Sequence, residues 1–176
     1  MEIRTDVTLP FPRDQVFVAY RDHLVELAAF LPNIRSITVK SRDESPGEVR
    51  LVNAWVGGGD IPKVARAFLS ESMLAWLDHA TWKDDGHRVV WRTEVGVLPG
   101  ALKSSGENRF LALPDGGTRI EFRGDLTCDT AKVPGVPRLL AGSLNGTIEK
   151  IFVGKVEDNL LAIGKGLQQF LAARPG

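Results

Sequence analysis

From about Leu139 to Ala172 no proline interrupts the chain, and apolar residues recur there at Ile148, Phe152, Val156, Leu160, Ile163, Leu167 and Phe170. Steps of three and four residues set these side chains along one stripe of an α-helix, while Glu149, Lys150, Glu157, Asp158, Lys165 and Gln168 fall largely elsewhere. At about 1.5 Å per residue the segment reaches roughly 50 Å, and its stripe has to be covered by another layer of the chain. Gly142, Gly146, Gly154, Gly164 and Gly166 are costly on such a helix, at about 1 kcal/mol each relative to alanine. Close packing on a neighbouring surface or room for a ligand would compensate, and Gly142 and Gly146 mark the first turns as the place for irregularity.

The covering layer is written in a different rhythm. Residues 2 to 9 alternate, with Ile3, Thr5, Val7 and Leu9 set against Glu2, Arg4, Asp6 and Thr8, the period of a half-buried strand. Pro10 and Pro12 end it, and Val16, Phe17, Tyr20, Leu24, Leu27, Ala28 and Leu31 then follow helical steps up to Pro32, as one helix or as two with a break near Asp22. At least six short alternating runs precede residue 130. The turn Glu44-Ser45-Pro46-Gly47 leads to Val49, Leu51, Asn53 and Trp55 on one face; Asp84-Asp85-Gly86 joins Leu74, Trp76, Asp78, Ala80 and Trp82 to Val89, Trp91, Thr93 and Val95. Asn108, Phe110 and Ala112 precede Pro114-Asp115-Gly116-Gly117, after which Ile120, Phe122 and Leu126 alternate with Arg119, Glu121, Arg123 and Asp125. The pattern predicts an antiparallel, meandering sheet and an α+β class, in one domain spanning 1–176.

Composition narrows the function. Lys plus Arg and Asp plus Glu both number 22, so the net charge is zero and no global field draws the protein to nucleic acid. The single Cys128 excludes an intramolecular disulfide and a multi-cysteine metal cage. The first ten residues lack a basic region followed by a long apolar run, and no apolar stretch nears the roughly 20 residues of a membrane span. These features predict a cytoplasmic protein.

A strand, a helical segment, a run of antiparallel strands and a long closing helix is the element order of the helix-grip fold, in which a curved antiparallel sheet wraps around a C-terminal helix. The run from Leu9 to Phe17, Leu-Pro-Phe-Pro-Arg-Asp-Gln-Val-Phe, resembles the strand-to-helix entry of START-like (SRPBCC, polyketide-cyclase-like) proteins. The segments Ile61-Pro62-Lys63-Val64-Ala65-Arg66-Ala67-Phe68-Leu69, Asp115 to Ile120, Val133-Pro134-Gly135-Val136 and Gly146 to Ile151 are similar to a bacterial branch of that superfamily. The segment at Ile61, the tryptophan-bearing hairpin after it and Ile148-Glu149-Lys150 also resemble, remotely, the PRELI-like phospholipid-transfer proteins. The resemblance implies a pocket between sheet and helix. It does not choose among carriers, cyclases and receptors, because one fold hosts many functions.

Asn53, Asp78 and Thr93 are in phase with apolar neighbours, where an unpaired polar group costs about 1 to 3 kcal/mol. They serve as polar groups orienting a ligand, or they bond backbone near strand ends. Trp55, Trp76, Trp82 and Trp91 all fall in strands and serve as packed core or as cavity wall. The expected wall comprises Trp55, Trp76, Trp91, Phe110, Phe122, Ile148, Phe152 and Val156. Gly57, Gly58 and Gly59 precede Ile61, Val64 and Phe68, flanked by Lys63 and Arg66. That is the composition of a lid whose basic pair meets a phosphate or a membrane surface, or of a loop and short helix closing one end. Lys150 and Lys155 either reach an acidic ligand group or lie solvated.

The catalytic inventory is thin. His23, His79 and His87 are scattered without metal-ligand spacing, and no phosphate-cradling glycine loop is followed by its lysine. Asp78 and His79 are adjacent on a strand, so they face opposite ways and cannot enter one site. The expectation is therefore binding, and transport in some settings, of a hydrophobic molecule such as a lipid or polyketide-like metabolite, with no cofactor and no metal. The alternatives are a cyclase, aromatase or hydrolase using Asp78 or a histidine in the same pocket, and an interaction module touching membranes transiently through residues 61 to 69.

Overall fold

The computed structural model describes residues 1–58, 74–96, 100–132 and 138–174; in the last stretch the side chains of 138–141, 143–145, 147–148 and 151–152 stay outside the description. Strand β1 (Glu2–Leu9) leads into helix α1 (Arg13–Asp22), the short helix α2 (Leu24–Leu27) and a 3-10 turn (Ala28–Phe30). Strands β2 (Ile34–Ser45), β3 (Glu48–Gly57), β4 (Ala75–Lys83), β5 (Arg88–Glu94), β6 (Leu102–Ala112) and β7 (Thr118–Cys128) follow, then a 3-10 turn (Thr130–Lys132) and helix α3 (Arg138–Ala172). The helical break expected near Asp22 falls at His23, between α1 and α2.

The strands form one antiparallel sheet in the order β1-β7-β6-β5-β4-β3-β2, a meander closed at one end by the return of β1 to β7. Register follows the alternation. Val49, Leu51, Asn53 and Trp55 are buried while Arg50 and Val56 are exposed, so the side of β3 that the sequence makes apolar is the inner one. Register shifts between Ile34 and Ser36 and between Val39 and Ser41 bend β2, as an extra residue in one strand of a pair does.

Trp91 adds a second constraint on the sheet's shape. It stands opposite Gly106, which stands opposite Gly124. A Cβ on Gly106 would sit 2.7 Å from Trp91 Cζ2, and one on Gly124 only 2.9 Å from it. The indole therefore lies across two bare stretches of backbone, and the neighbouring strand requires the two glycines as well, since a Cβ on Gly106 would collide with the Arg123 carbonyl oxygen and one on Gly124 would come within 2.7 Å of that of Ser105.

Helix α3 packs on β1, β7, α1 and the turn at Ala28–Phe30. Its buried residues Val153, Leu160, Ile163, Leu167, Phe170 and Leu171 continue the apolar stripe expected from the sequence. The expected irregularity in its first turns is not present: the helix runs unbroken for 35 residues. Its glycines divide into two groups. A Cβ on Gly164 would collide with Val7 of β1, and one on Gly166 would lie 3.2 Å from Leu31 Cδ2, so both are sites of close packing. Among the described residues, added Cβ atoms on Gly142, Gly146 and Gly154 would meet nothing within 4 Å.

The far end of the sheet is a dense aromatic core. Phe17 meets Trp82 and Phe110 edge-on at centroid distances of 5.3 and 5.1 Å, and Tyr20 meets Trp82 at 5.2 Å. Edge-on rings at these spacings are favourable beyond their buried area. Phe110 and Phe122 are almost completely buried and belong to this core.

Candidate functional site

Between the inner face of the sheet and α3 lies a cavity of about 270 Å³, lined mainly by apolar atoms. Leu24 of α2, Trp55, Trp76, Ala80, Trp82, Val89 and Trp91 of the strands, and Val156, Leu160 and Ile163 of α3 supply its greasy surface. Trp55 and Trp76, opposite each other on β3 and β4, stack with centroids 5.7 Å apart and planes 14° apart. Trp91 is held by its Nε1–H, which donates to Asn108 Oδ1 at 2.8 Å.

Across this apolar face runs one polar row. Asn53 stands opposite Asp78, Asp78 opposite Thr93, and Thr93 opposite Ser104, so four adjacent strands each contribute one polar side chain at the same level. All four line the cavity. The row is poorly satisfied internally. Asn53 Nδ2 donates to Asp78 Oδ2 over a long 3.4 Å, and Thr93 Oγ1 to the Ser104 carbonyl at 3.5 Å. Asn53 Oδ1, Ser104 Oγ, Trp55 Nε1 and Trp82 Nε1 are buried with no hydrogen-bond partner among the described residues, and all four belong to residues of the cavity wall. Burial pushes the Asp78 carboxyl up to about 6, against the opposing pull of Asn53 and of the Trp55 indole, whose N–H faces the carboxyl without reaching bonding geometry. Burial, with the Asp78 charge added to it, holds the Tyr20 phenol well above its ordinary value and so in the neutral form.

Of the residues singled out from the sequence, the structure brings Asn53, Trp55, Trp76, Asp78, Trp91, Thr93, Val156 and Gly58 to the cavity wall. Phe110 and Phe122 are corrections. Both point inward, but the rings of Phe17, Tyr20 and Trp82 cover Phe110, and Phe122 is sealed in the same core, so neither reaches the cavity. Ile148 and Phe152, and the lid residues Ile61, Lys63, Val64, Arg66 and Phe68, lie outside the described residues or side chains. Lys155 lies on the cavity wall with its side chain exposed.

Four polar wall residues escaped the sequence reading: Asn33, Ser104, Asn108 and Asn159. Ser104 and Asn108 belong to a strand whose inward positions read Leu102, Ser104, Gly106, Asn108 and Phe110, too small and polar to register as a buried face.

The histidines play no part in the wall. Each ring lies against a separate carboxylate outside the wall: His23 against Glu26 at 3.2 Å, His79 against Glu94 at 3.2 Å and His87 against Asp14 at 3.0 Å. None of the three lines the cavity. Cys128 is buried, and burial pushes its thiol up to about 11, far from a reactive thiolate. Among the described residues no cluster of three or more His, Cys, Asp and Glu side chains is gathered to hold a metal ion, and no helix is long and apolar enough to cross a membrane.

The architecture matches solved structures along its whole length. TTHA0849 from Thermus thermophilus superposes with a TM-score of 0.71 at 20% identity, covering 100% of both chains. The chain has the helix-grip fold. The Zhui aromatase/cyclase from Streptomyces sp. R1128 follows with a TM-score of 0.66 at 17% identity over 98% of this chain and 97% of that one. A START superfamily protein from Mycobacterium smegmatis gives 0.57 at 12% identity over 96% and 98%. No protein-family model and no curated protein matches the sequence.

Proposed function

We propose that this helix-grip domain binds a hydrophobic small molecule, of the lipid or polyketide-like kind, between its sheet and α3. The observation that carries the reading is the polar row on the cavity wall: Asp78 and Thr93 face an apolar space held only by long hydrogen bonds, beside Asn53 Oδ1 and Ser104 Oγ, which have no partner among the described residues. Leaving such a group unpaired costs about 1 to 3 kcal/mol, so a ligand supplying partners gains affinity that a closed core would not offer. At about 270 Å³ the space is slightly smaller than ordinary ligand pockets, roughly 300–1,000 Å³. Native mass spectrometry of the purified protein, with extraction and identification of what co-purifies, tests it. A stoichiometric apolar adduct is the expected result; a bare protein that also leaves its tryptophan fluorescence unchanged through a panel of lipids and aromatic metabolites would refute it.

One observation favours a second reading, a cyclase- or hydrolase-like enzyme. Asp78, with its carboxyl near 6 in a low-dielectric cavity, is poised to exchange a proton near neutral pH, which is what a general acid or base needs. The aromatase/cyclase among the similar structures is consistent with it. If a turnover is found, Asp78→Asn should abolish it with ligand affinity retained; full activity in that variant removes Asp78 from the chemistry.

A further inference from the structure

We infer that the Asp78 end of the cavity is a subsite for the ammonium group of an apolar amine, and that it discriminates against the carboxylate of an otherwise identical acid. The inference rests on the binding reading above and specifies the ligand's polar end. Asp78 is one of two charged residues among the described wall residues, and the other, Lys155, is exposed to solvent on α3. Asp78 therefore sets the sign of the interior.

Three acceptor-bearing side chains stand side by side at this level of the sheet. Asp78 carries a carboxylate with about four lone-pair sites, approached by only two donors, the Asn53 amide at 3.4 Å and the Trp55 indole short of bonding geometry. Its neighbours on either side in the polar row bring Asn53 Oδ1, buried with no partner among the described residues, and Thr93 Oγ1, whose hydrogen goes to the Ser104 carbonyl. Cross-strand neighbours have Cβ atoms about 4.5–5.5 Å apart, close enough for one small group to bridge them. An ammonium offers three N–H donors and no acceptor, and so matches this set. A carboxylate offers acceptors only and would face a like charge.

The surrounding rings point the same way. Trp76 lies two residues before Asp78 on the same face, stacked on Trp55, and Trp91 stands across from Ala80, two residues after it. Faces of indole rings attract a desolvated cation. The other groups facing Asp78 are the Tyr20 phenol from α1, neutral at working pH, and Lys155 from α3, whose charge is screened by solvent at its exposed position. No Lys, Arg or His nitrogen among the described residues pairs with Asp78.

The test is a matched ligand set on one skeleton: 2-(1-naphthyl)ethylamine, 2-(1-naphthyl)ethanol and 1-naphthylacetate, titrated calorimetrically into wild type and Asp78→Asn at pH 8 and pH 5. For wild type at pH 8 the amine should bind at least roughly tenfold tighter than the acetate, a difference the close approach of one charge pair readily supplies. That preference should shrink at pH 5, where Asp78 takes up a proton, and vanish in Asp78→Asn, with the alcohol nearly unaffected. Equal or tighter binding of the acetate, or an amine preference that survives Asp78→Asn, overturns the ammonium subsite while leaving the cavity a binding site. Failure of all three compounds to bind wild type counts against both.

Discussion

Asp78 is where sequence, electrostatics and function meet in one residue. Its inward phase was legible from Trp76, Ala80 and Trp82, and the structure gives that phase a consequence: a carboxyl in a cavity, with two weak donors and no cation. The folded state holds its proton up to about pH 6, against an ordinary value of 3.8. Between those values the folded state binds more protons than the unfolded one, so stability falls as pH rises through the window. Above it the buried charge costs on the order of 3 kcal/mol, at roughly 1.4 kcal/mol for each tenfold change in proton affinity. Asp78→Asn keeps the shape and removes the charge. We predict that it raises the urea midpoint at pH 7.5, by about 1 to 3 kcal/mol of stability, and that the gain disappears near pH 4; a variant less stable than wild type at pH 7.5 would mean that the carboxylate is better solvated than its surroundings indicate.

Trp91 makes a second prediction at the same scale. Its ring occupies the space that side chains on Gly106 and Gly124 would take. Gly106→Ala should cost roughly 1 to 3 kcal/mol through overpacking, measurable as a drop in Tm. Pairing it with Trp91→Ala should recover little, because the Arg123 carbonyl and the Gly124 Cα also crowd the new methyl.

At the scale of elements, the junction of α3 with β1 is the tightest part of the grip. Gly164 lies against Val7, and any Cβ there collides with the valine side chain. Gly164→Ala is expected to lower stability despite the better helix propensity of alanine, and Val7→Ala in the same chain should restore part of it, a positive coupling in a double-mutant cycle. Additive effects would show that the helix shifts freely on the sheet. Gly154→Ala, where nothing among the described residues lies within 4 Å, should instead be neutral or stabilising by up to about 1 kcal/mol.

These contrasts explain what could be read from the chain. Alternation in β3, β4, β5 and β7 fixed which faces turn inward, since a one-residue slip would expose Leu51, Trp82 or Phe122. The hairpins between successive strands followed from turn residues; of the two readings left open for residues 13 to 31, one helix or two with a break near Asp22, the structure has the second, and the return of β1 to β7 had no local signal. What the alternation could not reveal is depth along the inner face. Phe110 and Asn108 share a strand and a face, yet the first is sealed beneath Phe17 and the second lies on the cavity wall. That difference depends on where α1 crosses the sheet, a tertiary fact with no local signature.

For the molecule as a whole, the central claim is that sheet and helix enclose a space kept for a ligand. The fold alone does not establish that, since helix-grip domains serve different ends. The polar row does more, because an interior meant only to be packed gains nothing from Asn53, Asp78, Thr93 and Ser104 set side by side with partners missing among the described residues.

Val156 projects from α3 onto the cavity wall, and Val156→Trp would fill much of the space without disturbing the β1 contact. The decisive measurement is the affinity of wild type and Val156→Trp for whichever apolar ligand co-purifies with or titrates the protein, read alongside Tm. The account predicts that the variant folds, with Tm unchanged or raised, and binds at least about tenfold more weakly, since displacing the ligand removes its buried area. Undiminished affinity in a folded Val156→Trp protein would place the ligand elsewhere and contradict the account.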